Sequence, residues 1–381
     1  MRAVRAIIHI DNFLGNFRAV RERIGPNRRI CVPVKADAYG HGALRIAEAA
    51  LGAGASCLAV AVVSEGAELR KGGVTAPILL LSQALPGEIP EIIQYRLIPL
   101  VSDRGFAEAL NRAAEAAGTR LPVHLKIDTG MGRMGCSPED APALARFLSG
   151  CAFLDYEGTA THLAVSDSVD PGDAAYTRTQ LERFREAVEG IRAAGLDAGI
   201  VHAANSGGVI LHPESWLDMV RPGIILYGYK PAEEPPRKDG GNADGGAAPL
   251  CVKPVMELSA NIVFIKKVKR GDCISYGRTW TAPADTIIAT LPVGYADGLP
   301  RLASNKWQVY GRGRAYPLVG RICMDQCLVD LGPETELRRW DELTVFGGEA
   351  PNAAVLAERI GTIPYEITCN INKRVPRVYA E

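Results

Sequence analysis

Lys35 follows an apolar run at residues 30–34, and the stretch after it, Lys35-Ala36-Asp37-Ala38-Tyr39-Gly40-His41-Gly42, is small and aromatic. The run reads as a buried strand and the stretch as a loop entering a helix at Ala43. A lysine held at the C-terminal end of a strand can form an imine with a carbonyl cofactor or substrate, and in an α/β barrel that end is the catalytic face. A solvated lysine after a strand is the commoner use of the residue, so its company decides. A second stretch, Gly130-Met131-Gly132-Arg133-Met134-Gly135, fits G-x-G-x-x-G after a strand at residues 123–127, with Asp155 twenty residues beyond Gly135. Spacing alone would make it a dinucleotide-binding turn. Against this, Ser137-Pro138-Glu139-Asp140 looks like a helix cap with proline at the first helical position, so the helix starts after the third glycine. In the dinucleotide fingerprint that glycine already packs helix against strand. The stretch also falls well inside a run of strands instead of opening a sheet.

The elements that must position these groups alternate. An isolated strand near residues 5–10 and a helix near 14–24 come first. Strands then fall near Ile30, Cys57, Pro77, Leu97, Pro122, Leu154, Ile200 and Trp216, which makes eight. Helical spacing separates them, as in Phe106, Ala109, Leu110 and Ala113 after the cap Ser102, or Leu181, Phe184, Val188 and Ile191 before Gly195. Eight alternations predict a (β/α)8 TIM-like barrel over residues 1–230, with its site in the loops at the strand C-termini. Residues 231–249 are rich in Pro, Gly and charge and read as a flexible linker or insertion. Residues 250–381 carry strand-like runs at 255–268, 286–292, 307–310, 318–331 and 342–346, with one short helix near 353–360, and predict a mostly β C-terminal domain. The orphan first strand could pair with it.

A chain of 381 residues, 47% hydrophobic and 23% charged, has room for one large and one smaller core. With net charge +0 it makes no electrostatic case for nucleic acid or an acidic membrane surface, and the basic run Lys266, Lys267, Lys269, Arg270 reads as the solvated edge of a hairpin. The nine cysteines lack paired C-x-x-C spacing and no H-E-x-x-H occurs, which argues against a metal site. Their odd number and dispersal suggest reduced thiols and a cytoplasmic setting. Residues 1–10 contain arginines and only a short apolar run, so neither a secretion signal nor a membrane span is read there.

The wording around Lys35 resembles the pyridoxal-phosphate attachment motif of alanine racemases, and the resemblance runs through nearly all of the chain to Pro364-Tyr365-Glu366-Ile367. It implies a homodimer that interconverts L-alanine and D-alanine by a two-base mechanism with pyridoxal 5'-phosphate. Such an enzyme needs an imine lysine, donors for a phosphate, a partner for the pyridine nitrogen, a carboxylate anchor and groups that move the α-proton. The resemblance makes Lys35 the imine lysine and gives the phosphate Tyr39, Ser206, Gly223, Ile224 and Tyr365. Asn205-Ser206-Gly207-Gly208 alone would read as a plain turn, although barrel phosphate sites do lie after the seventh and eighth strands. Arg221 would face the pyridine nitrogen; always charged, it cannot give the ring a proton, and the cofactor becomes a weaker electron sink. Tyr276, in Ser275-Tyr276-Gly277-Arg278, matches the second base and would act in the partner's site, with His162 and Arg221 as its relay. A free tyrosine, with a pKa near ~10, is a poor base at neutral pH, so positive neighbours must lower it. Arg133 would anchor the substrate carboxylate, with the backbone N–H of Met324. Lys126 is a position often carbamylated in the family, giving an anion that orients the arginine.

Two departures from the family pattern are Asp37, where asparagine is frequent, and the long segment at 231–249. Competing readings are a racemase of serine or larger amino acids, for which a residue smaller than Tyr365 would be natural, and a non-catalytic pyridoxal-phosphate-binding barrel, which would lack the β domain. A nicotinamide oxidoreductase comes last because of its helix start. The D-alanine product would supply peptidoglycan synthesis.

Overall fold

A computed structural model describes residues 3–232 and 250–381, so most of the segment at 231–249 lies outside the described residues. The chain divides into two compact units, residues 14–38 with 43–252, and residues 1–13 with 39–42 and 253–381.

The first of these is a nearly closed barrel. After β1 (Val4–His9), which belongs to the other unit, come the barrel strands β2 (Arg29–Pro33), β3 (Cys57–Val60), β4 (Ile78–Leu80), β5 (Ile98–Val101), β6 (Leu121–Lys126), β7 (Leu154–Ala160), β8 (Ile200–His202) and β9 (Met219–Val220). They pair in parallel in the order β8-β7-β6-β5-β4-β3-β2-β9. The ends approach where the Asp218 N–H donates to the Val201 carbonyl at 3.1 Å and the Arg221 N–H to that of Ala204 at 2.9 Å. Strands β3, β4 and β5 are buried at every position, as parallel strands covered on both faces require. Part of the interior is a cluster of Cys31, Cys57, Ala59, Leu79, Ile98 and Met219. The eighth strand is only two residues long and follows Trp216, whose indole N–H is spent on the Gly208 carbonyl. The cap of the helix Arg104–Ala116 is Asp103, which accepts from the Phe106 N–H, and not Ser102. Adjacent capping residues are equivalent in sequence; backbone geometry chooses between them.

The β-rich unit contains β10 (Met256–Asn261), β11 (Phe264–Val268), β12 (Cys273–Ile274), β13 (Trp280–Thr281), β14 (Thr286–Leu291), β15 (Gln308–Gly311), β16 (Arg314–Pro317), β17 (Cys327–Asp330), β18 (Glu342–Phe346) and β19 (Arg377–Ala380). Its larger sheet runs β16-β15-β18-β10-β1-β19, so β1 sits between two strands from the other end of the chain. A second sheet, β11-β14-β17, has the Lys266 and Lys267 strand at its edge, where charge discourages further pairing. Within the strand-like run at 318–331 only β17 forms a ladder; Leu318 adds a single bridge to Val329. Among the described residues no helix is long and apolar enough to cross a membrane.

Candidate active site

Lys35 lies two residues past the end of β2, at the strand's C-terminal end, and is half-buried. The residues after it are not a plain loop. Ala36, Asp37, Ala38 and Tyr39 all have φ between 51° and 54°, which makes residues 35–40 a single left-handed helical turn. L-residues pay about 1–2 kcal/mol each for that conformation. One distant and one local bond hold the turn: Ala36 N–H donates to Glu65 Oε1 at 2.6 Å and Ala38 N–H to the Val34 carbonyl at 2.9 Å. Asp37 Oδ1 accepts from the Ala43 N–H at 2.9 Å, at the start of the helix Ala43–Gly52. An asparagine oxygen could accept the same bond, so Asp37 keeps the structural service of the family residue. Tyr227, fully buried, donates its hydroxyl to the Pro33 carbonyl at 2.8 Å and fixes the strand just before Lys35.

Arg221 follows β9 and is 6% exposed. Its guanidinium donates to His202 Nδ1 at 2.5 Å, to the carbonyls of Thr161 and Ala203 at 2.7 and 2.9 Å, and to His162 Nδ1 at 3.4 Å. Every one of these acceptors is neutral. Burial pulls the arginine down to about 10, and it still carries its charge at neutral pH. His162 and His202 are held well below the usual imidazole range, first by burial and then by the Arg221 charge. Because arginine can only donate, the Nδ1 atoms of both histidines accept and their protons sit on Nε2. His202 Nε2 then donates to His124 Nδ1 at 2.9 Å, and burial brings His124 to about 4. Gly158 makes room for that ring: a Cβ there would lie 2.6 Å from it.

Lys126, two residues beyond His124 on β6, therefore shares its face of the strand. It is buried, donates to the Ile127 carbonyl at 3.0 Å, and is lowered to about 7 by burial and then by Arg221. The glycine-rich stretch turns inward on itself. Asp128 Oδ1 accepts from the N–H groups of Gly130 and Gly132 at 2.9 and 3.1 Å, so those donors are spent within the loop. The following helix is Ala141–Gly150, later than Ser137-Pro138 suggested, because Ser137 and Asp140 bond each other in the connecting turn. Arg133 lies exposed on this loop. Ser206 Oγ accepts the Gly223 N–H at 2.9 Å, joining the Asn205–Gly208 turn to the Pro222–Ile224 turn.

Tyr39 and Tyr365 lie in the β-rich unit with ring centroids 6.0 Å apart. The same unit carries Tyr276, 70% exposed on the loop between β12 and β13, and Met324, 54% exposed. Reading the sequence missed His124, His202, Glu65 and Tyr227. A signal for one of them was available: His124 and Lys126 alternate with Val123 and Leu125 on β6, and polar residues at period two inside an apolar strand point into a barrel.

An amine just past a strand's end, on the same barrel as a buried guanidinium that among the described residues donates only to neutral acceptors, is the arrangement of a barrel enzyme with its site at the strand C-termini. The model of the alanine racemase N-terminal domain matches residues 8–231 and that of the C-terminal domain residues 255–379. The alanine racemase of Treponema denticola is 47% identical over all of this chain and 99% of its own length, and that of Desulforamulus reducens 44% identical over 98% of both. Among solved structures, alanine racemase from Clostridium difficile 630 superposes with TM-score 0.91 at 35% identity, covering 100% of this chain and 96% of that one. The chain belongs to the alanine racemase family, a family of isomerases.

Proposed function

We propose that this protein interconverts L-alanine and D-alanine, with pyridoxal 5'-phosphate held through Lys35, and that its D-alanine supplies peptidoglycan synthesis in the bacterial cytoplasm. The observation that carries the reading is Arg221, a buried guanidinium with neutral acceptors around it and, among the described residues, no carboxylate partner. Such a donor set fits a pyridine nitrogen lone pair and would not protonate it. Lys35, Tyr39, His162, Ser206, Arg221, Gly223, Ile224 and Tyr365 would hold the cofactor. Once bound, it acidifies the α-C–H bond of an amino acid. Lys35 moves the proton at one face of the α-carbon. Tyr276, from a second copy of the chain, moves it at the other. The bond sense from Arg221 to His162 Nδ1 leaves the His162 Nε2 proton to donate to the phenol oxygen, which favours phenolate and lets a tyrosine act as a base. Arg133 and the Met324 N–H anchor the carboxylate, and Tyr365 limits the side chain to a methyl group. Chiral chromatography of holoenzyme incubated with L-alanine or L-serine tests this. D-alanine should form at least ~10-fold faster than D-serine, the scale on which a small pocket rejects extra bulk; absence of D-alanine overturns the reading.

Lys126 carries its own expectation. An amine lowered to about 7 is largely uncharged at slightly alkaline pH and can add carbon dioxide with release of a proton, which places an anion near Arg133. Labelled bicarbonate should therefore give a carbamate carbon resonance in the wild type and none in Lys126→Ala. A wild-type spectrum without that resonance would rule carbamylation out.

A further inference from the structure

The loop that carries Tyr276 is held in a conformation that its sequence resists. β12 and β13 pair Cys273 with Thr281 and Ile274 with Trp280, leaving residues 275–279 between them. Ser275, with φ 64° and ψ −175°, occupies a region that is essentially glycine's alone, and Arg278 is also left-handed at φ 51°. Such a residue persists only where its surroundings over-determine it. Here the loop at residues 320–324 does so. Ser275 Oγ donates to the Arg321 carbonyl at 2.6 Å and lies 3.6 Å from Cys323 Sγ. Gly320 permits the approach: a Cβ there would stand 2.7 Å from Ser275 Cβ. Asn305 adds a second staple, its oxygen accepting the Gly320 N–H at 2.6 Å and its amide donating to Thr279 Oγ1 at 3.2 Å. At the far end, the Cys323 and Met324 carbonyls accept the N–H groups of Tyr295 and Ala296 at 3.1 and 2.9 Å. Tyr276 and Met324 thus stand on two loops joined at Ser275.

We propose that Ser275 is the positioning residue that sets Tyr276 against Met324, its backbone turning the phenol out of the hairpin and its hydroxyl fixing the register of the two loops. The inference rests on the roles given above to Tyr276 and Met324. Without the hydroxyl the hairpin swings, and proton transfer at the tyrosine's face of the α-carbon slows while transfer at the lysine's face does not.

Ser275→Gly is the decisive variant, because it removes the hydroxyl and relieves the backbone together, and so folds at least as well as the wild type. Ser275→Ala keeps the strain and serves as its companion. Both holoenzymes are assayed in the two directions with α-deuterated L- and D-alanine, beside Tyr276→Phe. In Ser275→Gly, kcat should fall about 10-fold with melting temperature and cofactor absorbance retained. The α-deuterium isotope effect should rise in the direction in which Tyr276 removes the proton and fall in the other, an asymmetry that general loosening would not produce. Wild-type rates, or a loss without that asymmetry, in an otherwise folded variant whose Tyr276→Phe counterpart is inactive would overturn the positioning role. Should Tyr276→Phe keep wild-type activity, the role of the tyrosine itself has failed and this inference falls with it.

Discussion

Lys35→Ala is expected to fold, to lose covalent attachment of pyridoxal phosphate, and to racemise alanine at least ~10³-fold more slowly, the scale of removing a covalent catalyst that is also a base. Folding should survive because Lys35 is half-buried at the strand end, while β2 is held by neighbours the substitution leaves in place: the Val34 N–H on the Ala59 carbonyl at 2.8 Å and the Tyr227 hydroxyl on the Pro33 carbonyl. The left-handed turn is likewise anchored by Glu65 and Asp37. Absorbance between 300 and 500 nm before and after borohydride reads the attachment: a band near ~420 nm that borohydride removes in the wild type should be missing from the variant. A variant that keeps both the band and the rate would end the assignment of Lys35. The same protein tests whether two copies share a site. If Lys35 and Tyr276 of one site come from different subunits, equal mixing of Lys35→Ala with Tyr276→Phe gives half heterodimers, each with one intact site, and restores about a quarter of wild-type activity. If each subunit supplies both residues to its own site, mixing restores nothing.

Much of the barrel was legible in the sequence, and for a physical reason. A parallel strand covered on both faces has no polar side to present, so β3, β4 and β5 stand out as short apolar runs between helical spacings. The two-residue β9 leaves too little sequence for any period, and its position is set by pairing with β2 at Met219 and Val220. The turn after Lys35 was invisible because alanine, aspartate and tyrosine do not ask for positive φ; partners 29 residues away in Glu65 and at the next helix impose it. Site residues divide in the same way. Lys35, Arg133, Arg221 and Tyr276 lie in stretches whose wording is distinctive, whereas His124 and His202 acquire meaning only when strands 78 residues apart bring the rings within 2.9 Å. No local signal encodes that pairing. Ser275 is a third case: it stands beside Tyr276 in sequence, yet its importance lies in a dihedral angle.

The chain Arg221–His202–His124 should make the protein labile to mild acid. Each histidine accepts a hydrogen bond through Nδ1, so protonating either accepting nitrogen breaks the chain and places a second cation beside a buried guanidinium. Burial and then Arg221 depress both groups, His124 to about 4 and His202 well below the usual range. Unfolded histidines titrate near ~6.5, so below that pH the unfolded chain binds protons that the native chain refuses. Stability from these groups is therefore complete above about pH 6.5 and declines as the pH falls, for His124 until the folded ring itself protonates near about 4. Each histidine costs up to about 1.4 kcal/mol per pH unit in that window, less near its upper edge where the unfolded ring is only half protonated. Two together take roughly 2 kcal/mol between pH 6.5 and 5.5, a substantial share of the 5–15 kcal/mol that holds an ordinary domain. Proton uptake on urea unfolding at pH 5.5 measures this directly and needs no two-state assumption. His124→Gln keeps an acceptor for the His202 Nε2 proton but cannot titrate, and its uptake should be lower than that of the wild type by about 0.9 proton. Equal uptake by the two proteins would mean that His124 is already charged in the native state, and the direction of the whole chain, including the neutral His202 that Arg221 leans on, would have to be reversed.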